Sequence, residues 1–377
     1  MAANDIYSRT ISHYLAPIAQ YLGDTRVTEI MVNRADEIYI ERDGKLERVS
    51  ARFADDEVYQ AAVNNILQFT GKTLSDDQPL IDSRLPDGSR VHVAKEPCAR
   101  FGTTMTIRKF SRAMLDMDWV VELGTLTPQA NDYLRIAVRA ERNLLVVGGT
   151  SSGKTSLLNA LSTFIPEGQR IVVIEDSAEL QLQQEHVISL EARQPDRYGR
   201  GVVSIRDLFR SSLRLRPDRI VIGEVRGGEA LDMIQAMTSG HGGSMGTLHA
   251  NNPADALNRL ETMAMMSKVE LPLYALRAQI SSAIDVVVQM SRHIGGQRRV
   301  TQITEIDPMI EAGQYQLRDI FTLRPPRDEE MSKELQLTWS GERSALAGKL
   351  RAEDQELVTE RIQPIFAVDC DAGADKN

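Results

Sequence analysis

Apolar residues at Ile6, Ile11, Leu15, Ile18 and Leu22 recur at the spacing of one helical face, so the chain is expected to open with an amphipathic helix. The period then falls to two. Residues 27–32 and 37–41 alternate as half-buried strands do, and Asp43-Gly44, between Ile40 and Leu46, supplies a hairpin turn. Val58, Ala62, Ile66 and Phe69 restore the helical period over 55–69, and 90–93 and 103–107 read as further strands, the first preceded by the turn Pro86-Asp87-Gly88. No period is sustained over 111–127, which reads as a linker. From Pro128, with Thr127 as its N-cap, the pattern changes. Apolar strands at 144–147, 170–174, 187–190, 219–222 and 245–248 are interleaved with helical stretches near 156–161, 205–213 and 229–237. Such alternation predicts a mostly parallel sheet with helices on both faces. Helices over 255–266 and 272–283 follow, and 284–288, 299–306 and 314–321 are expected as a closing antiparallel piece. Beyond Pro325-Pro326 the chain is charge-rich and reads either as a helical docking element or as a partly disordered tail. The expected organisation is an α/β domain over 1–110, a linker over 111–127, a second α/β domain over 128–324 and an extension over 325–377.

The apolar run 144–147 leads directly into Gly148-Gly149-Thr150-Ser151-Ser152-Gly153-Lys154-Thr155, and Ser156 continues into a helix. Strand, glycine-rich turn and helix in this order form the context that makes the string a P-loop. Small residues let backbone N–H groups curl around phosphate oxygens, and the helix adds the positive end of its dipole. Lys154 is then expected to reach the β- and γ-phosphates, and the Thr155 hydroxyl to hold Mg2+. The implied ligand is a nucleoside triphosphate. Two later strands end in acids. Residues 171–174 run into Glu175-Asp176, with Glu179 three positions on, and 219–222 run into Gly223-Glu224-Val225-Arg226. Carboxylates at strand ends stand at the ligand edge of an α/β sheet, near the metal or the attacking water. Asp176 and Glu179 also have capping-box spacing. Glu224 suits water activation or the Mg2+ shell, and Arg226 suits either a salt bridge or a phosphate contact. Gly240 to Pro253 carries His241 and His249 among glycines, a string in which histidine can donate to a γ-phosphate oxygen. No cysteine accompanies the pair, which disfavours zinc.

Composition narrows the class. A chain of 377 residues, 42% hydrophobic and 26% charged, has the mass for about two soluble domains. No apolar run reaches the ~18 residues of a membrane span, and the start lacks the basic and apolar regions of a secretory signal. Cys98 and Cys370 are too few for a disulfide framework or a four-cysteine zinc site and fit a reducing cytoplasm. A net charge of −9 disfavours a protein that coats nucleic acid.

The P-loop, the strand-end acids Glu175-Asp176 with Glu179, Gly223-Glu224-Val225-Arg226 and the histidine string occur in the order of the Walker A, Asp, Walker B and His boxes. Together they resemble the type II/type IV secretion-system ATPase superfamily. The connecting text, including 178–186, Leu215-Arg216-Pro217-Asp218-Arg219 and 227–233, is similar to the CpaF branch, which serves Tad/Flp pilus assembly. The likeness covers roughly 20–324. It implies a PAS-like N-terminal α/β domain, a RecA-like P-loop ATPase domain, ATP and Mg2+ as ligands, and a homo-hexamer. The implied partner is an inner-membrane platform protein, met at the cytoplasmic face of that membrane. By the same resemblance, Glu179 activates water, Glu224 is the Walker B acid and shares Mg2+ with Thr155, Arg90 and Arg108 reach phosphate from the first domain, and His241 and His249 are the His-box pair. A conjugative or DNA-translocating ATPase is the alternative within the same core type. The four-cysteine insert common in type II secretion and pilus-extension relatives is missing, and Ser151-Ser152 stands where Gly-Ser is frequent.

Overall fold

The computed structural model describes residues 10–366 except 12, 111–115, 196–198, 268, 294, 309–312, 325–334 and 351. The chain divides into two compact units, Met1–Ala113 and Met114–Asn377.

In the first unit the expected opening helix is broken. Pro17 lacks an N–H and sits in a 3-10 turn, Ala16–Ile18, followed by the short α1, Ala19–Gly23. Ile11, Leu15 and Ile18 still enter the core. Strands β1 (Val27–Arg34), β2 (Glu37–Arg42), β3 (Lys45–Val49), β4 (Leu80–Arg84), β5 (Arg90–Ala94) and β6 (Thr104–Arg108) form one antiparallel sheet in the order β3-β2-β1-β6-β5-β4. First and last strands pair at its centre, in keeping with a PAS-like α/β layout. Helix α2, Asp56–Phe69, is capped by Asp55, whose side chain accepts the Val58 N–H at 2.8 Å. Its buried face runs through Tyr59, Ala62, Val63 and Ile66, while Val58, expected on that face, is exposed.

The second unit begins earlier than the pattern predicts. Asp116 caps α3, Met117–Glu122, and Met117 and Val120 enter the same core as Leu126 and Tyr133. Six residues are too few for a period to emerge, so this piece of the expected linker belongs to the second unit, and 111–115 lie outside the described residues. Thr127 caps α4, Pro128–Arg139, as the sequence implies. The following elements are β7 (Leu144–Gly148), α5 (Lys154–Ser162), β8 (Ile171–Glu175), β9 (Val187–Glu191), α6 (Ile205–Ser212), β10 (Arg219–Ile222), α7 (Glu229–Thr238), β11 (Met245–His249), α8 (Pro253–Met265), α9 (Leu273–Ala283), β12 (Val286–Arg292), β13 (Arg298–Asp307), β14 (Gln316–Arg324) and β15 (Gln336–Trp339).

Their sheet has the order β15-β14-β13-β12-β7-β11-β10-β8-β9. From β12 to β9 every pairing is parallel, and from β12 to β15 every pairing is antiparallel. Strand β12, expected in the antiparallel piece, is therefore the last parallel strand; α9 supplies the crossover that a parallel partner for β7 requires. Apolar clusters on the two faces bury Leu144 and Val146 on one side and Leu145 and Val147 on the other. This is a RecA-like arrangement, and it brings the C-terminal ends of β7, β8, β10 and β11 to one edge.

The described residues of the extension pack into the fold. Strand β15 pairs with β14, a 3-10 turn spans Ala345–Lys349, and short helices α10, Ala352–Gln355, and α11, Gln363–Phe366, follow. Ile362, Ile365 and Phe366 join the core, and the Phe366 ring stacks on Tyr133 with centroids 5.8 Å apart. Beneath them Glu305, 1% exposed, accepts from the Tyr133 hydroxyl at 2.8 Å, the Ala345 N–H at 2.7 Å and the Ser344 hydroxyl. Burial raises its carboxyl pKa.

Candidate nucleotide site

Strand β7 is buried along its whole length and stops at Gly148, which lies opposite His249 of β11 and Met290 of β12. A Cβ at Gly148 would stand 2.4 Å from the Met290 carbonyl oxygen and 2.6 Å from the Ser152 Oγ, so only glycine lets the loop turn this close to β12. Ser151 and Gly153 take left-handed backbone angles, φ +58° and +96°, and curl the chain back into α5. The Ser152 hydroxyl donates to the Gly149 carbonyl at 2.9 Å. No side chain caps α5, so its first-turn N–H groups and dipole end are offered to the loop hollow. Lys154 is only 7% exposed; its Nζ donates to the Gly149 carbonyl at 2.9 Å and lies 3.4 Å from His249 Nδ1. Thr155 and Ser156 follow in the first turn, both half-buried.

From Lys154 the charges continue across three strand ends. His249 Nε2 lies 2.9 Å from Glu224 Oε1, and Arg226 donates to Glu224 Oε2 at 2.5 Å and to Asp176 Oδ2 at 3.3 Å. Lys154, His249, Glu224, Arg226 and Asp176 thus form one contiguous line over the exits of β7, β11, β10 and β8. Burial, then the neighbouring Lys154 ammonium, lower the His249 pKa, against the opposing pull of Glu224. The Glu224 carboxylate raises the Arg226 pKa. Glu229, at the start of α7, pins the turn beneath by accepting the N–H groups of Arg226 and Gly227 at 2.7 and 2.8 Å.

Two expected site residues are arranged otherwise. Glu175, read as a cofactor contact, is 4% exposed, and its Oε1 accepts the N–H groups of Glu179 and Leu180 at 2.9 and 3.0 Å. The carboxylate turns into the protein because the loop after β8 folds back over it. His241 is not brought to His249. It precedes β11, at the N-terminal edge of the sheet, where the Leu144 N–H bonds to the Ser244 carbonyl. One strand, about 13 Å at roughly 3.3 Å per residue, separates the two histidines, because the string between them is itself β11. Half-buried Glu179 stands in the loop beside β8. In the first unit Arg90 and Arg108 face each other across β5 and β6, and Arg108 lies 3.9 Å from Glu29 of β1.

Several neighbours were not legible from motifs. Arg84 of β4 lies directly opposite Arg90, extending the arginine pair into a cross-strand row of three. Met290 and Arg298, from β12 and β13, line Gly153; a Cβ there would be 3.1 Å from Arg298 Cδ and 3.4 Å from Met290 Cε. Asn159 of α5 accepts the Gln181 N–H at 2.8 Å and ties the loop after β8 to the P-loop helix. Only the register of distant strands reveals them. Among the described residues no group of three or more His, Cys, Asp or Glu is arranged to hold a metal ion, and no helix is long and apolar enough to cross a membrane.

Known proteins share this layout. The Type IV secretion system protein PtlH of Bordetella pertussis is 35% identical over 322 residues, covering 78% of this chain and 94% of PtlH. A putative conjugal transfer protein of Mycobacterium tuberculosis is 34% identical over 282 residues, covering 73% of this chain and 80% of its own. The crystal structure of the pilus retraction motor PilT with bound ADP shares the fold, with a TM-score of 0.54 at 19% identity over 82% of each chain. The profile of the Type II/IV secretion system proteins matches residues 12–319. With the P-loop and the charged line at its strand exits in place, the chain belongs to the Type II/IV secretion system protein family, as one of its RecA-like P-loop ATPases.

Proposed function

We propose that this ATPase is the motor of a Tad/Flp-type pilus-assembly or protein-secretion machine, working as a homo-hexamer at the cytoplasmic face of the inner membrane and pushing on a platform protein embedded there. The observation that carries the reading is the unbroken line from Lys154 through His249 and Glu224 to Arg226 and Asp176. It joins the group that binds phosphate to groups that handle water and sense charge.

The loop 148–155 binds the triphosphate through backbone N–H groups, and Lys154 exchanges its bond to the Gly149 carbonyl for the β- and γ-phosphate oxygens. The Thr155 hydroxyl, in the first turn of α5, and the Glu224 carboxylate, at the exit of β10, are hard oxygen donors that would hold Mg2+. Bound there, the ion would supply neutralisation of phosphate charge. Glu179 accepts the proton of the attacking water, and Glu224, held by His249 and Arg226, orients that water. Arg226 and Asp176 report the charge change as the γ-phosphate leaves. Arg90 and Arg108 of the first unit are assigned to pairing with phosphate charge. Glu175 and His241 have no direct contact with nucleotide in this scheme.

A second reading, a conjugative or DNA-translocating ATPase, is favoured by the likeness to a putative conjugal transfer protein. The net charge of −9 weighs against DNA as the cargo. One set of assays separates these readings: steady-state ATP hydrolysis, ATP affinity and solution mass, with and without DNA. Glu224→Gln is expected to keep ATP affinity and lose turnover by a factor on the order of 10² or more. Arg108→Ala should lose about 10³ in kcat with little change in affinity. DNA-stimulated hydrolysis with steep salt dependence would support the second reading, and full turnover in Glu224→Gln would defeat both.

A further inference from the structure

The Glu175 carboxylate holds the one loop that carries Glu179. Its Oε1 accepts two consecutive N–H groups, from Glu179 at 2.9 Å and from Leu180 at 3.0 Å, and the side chain is 4% exposed. On the other side lies Gly223, the residue before Glu224; a Cβ there would stand 2.9 Å from Glu175 Cγ and 3.2 Å from Oε1. The next residue of the loop, Gln181, is tied separately to Asn159 on α5. The loop is therefore tied at Asp176 to Arg226, at Gln181 to the P-loop helix, and at Glu179 and Leu180 to a buried carboxylate wedged beneath the Walker B strand exit.

We propose that Glu175 is a positioning residue for Glu179, and that Gly223 is glycine because the Glu175 side chain occupies the space a methyl group would take. The proposal rests on the reading of Glu179 as the acid that accepts the water proton. Residues 176–178 connect β8 to Glu179 through several soft backbone dihedrals, whose freedom has to be restricted for Glu179 to hold one place. Two charge-assisted bonds at its own N–H and the next remove that freedom. The same wedge makes the Asp box and the Walker B strand report to one another, because any shift of Gly223 presses on Glu175 and reaches Glu179 through its backbone. A displacement of about 1 Å in a reacting group costs on the order of 10²-fold in rate. The P-loop is anchored elsewhere, so ATP binding does not depend on this contact.

The test is a mutant cycle on the full chain, reading kcat, KM for ATP and the thermal midpoint of Glu175→Ala, Glu175→Gln, Glu179→Gln and the double variant Glu175→Ala/Glu179→Gln. Glu175→Ala is expected to lower kcat about 10²-fold with KM and midpoint nearly unchanged. Glu175→Gln, whose amide oxygen accepts the same two bonds, should recover most of that loss. On the Glu179→Gln background, Glu175→Ala should do nothing further. An additive loss in the double variant, or a wild-type kcat in Glu175→Ala while Glu179→Gln is inactive, overturns the positioning role. Full turnover in Glu179→Gln instead overturns the reading of Glu179 itself. If Glu175→Ala does not fold, Gly223→Ala carries the test: it displaces the retained carboxylate, and the same loss of kcat, absent on the Glu179→Gln background, is expected. A Gly223→Ala enzyme with normal kcat would contradict the wedge.

Discussion

His249 has an ammonium on one side and a carboxylate on the other, and its two ring nitrogens divide the work. Neutral imidazole with the proton on Nε2 donates to Glu224 at 2.9 Å and leaves the Nδ1 lone pair for Lys154 at 3.4 Å. Burial disfavours the charged ring, and protonating Nδ1 would also set two cations against each other, so the folded-state pKa lies below the ordinary 6.5. The sign of the pH effect follows. As pH falls through about 6.5 the unfolded chain takes up a proton that the folded chain refuses, so stability drops until the lowered folded value is passed. Wild-type protein should therefore lose more thermal midpoint between pH 7 and pH 5 than His249→Asn, when melting curves are compared across that range. Equal losses would contradict the arrangement. At this scale the sequence was most informative where chemistry demands an atom type. Lys154, Glu224 and His249 come together at the strand exits, whereas Glu175 turns inward, and a strand-end acid does not disclose which way its side chain turns once the next loop folds over it.

At the scale of elements, the turn between α7 and β11 is built around a buried guanidinium. Arg219, 1% exposed, donates from Nε to Gln169 at 2.7 Å and from Nη2 to the Val138 carbonyl at 3.1 Å. Gly243 gives it room: a Cβ would fall 1.5 Å from Nη1, and φ is +71°. Gly243→Ala is thus expected to displace a buried charge from its bonds and to strain the turn, costing about 3–5 kcal/mol. Chemical denaturation measures this directly, and an unchanged midpoint would show that the site relaxes freely. The same turn shows why the two histidines of the string stand apart. Glycines at 240, 242 and 243 look alike in sequence, yet only Gly243 makes room for the buried Arg219, at one sheet edge, while His249 ends the strand at the other. Long periodic elements such as α2 and the apolar strands β7, β8 and β10 were legible, since their period is set by the faces they bury. The six-residue α3 and the direction of β12 depend on partners far along the chain, whereas the break at Pro17 is local, set by a residue with no N–H.

For the whole molecule, the change from antiparallel alternation to interleaved helices and buried strands marked two folding units, and their cores are separate sets of residues. The extension was the least legible part. Its buried apolar side chains, Leu337, Leu346, Ile362, Ile365 and Phe366, carry no local pattern and gain meaning only from a core already formed by α4 and the sheet. All functional claims for the molecule converge on the loop between β7 and α5. The most direct test is ATP binding and hydrolysis by Lys154→Ala beside wild type, with thermal melting to confirm that the variant is folded. Loss of both nucleotide affinity and turnover in a folded protein is the result expected here; a folded Lys154→Ala protein that binds and hydrolyses ATP as wild type does would contradict the account.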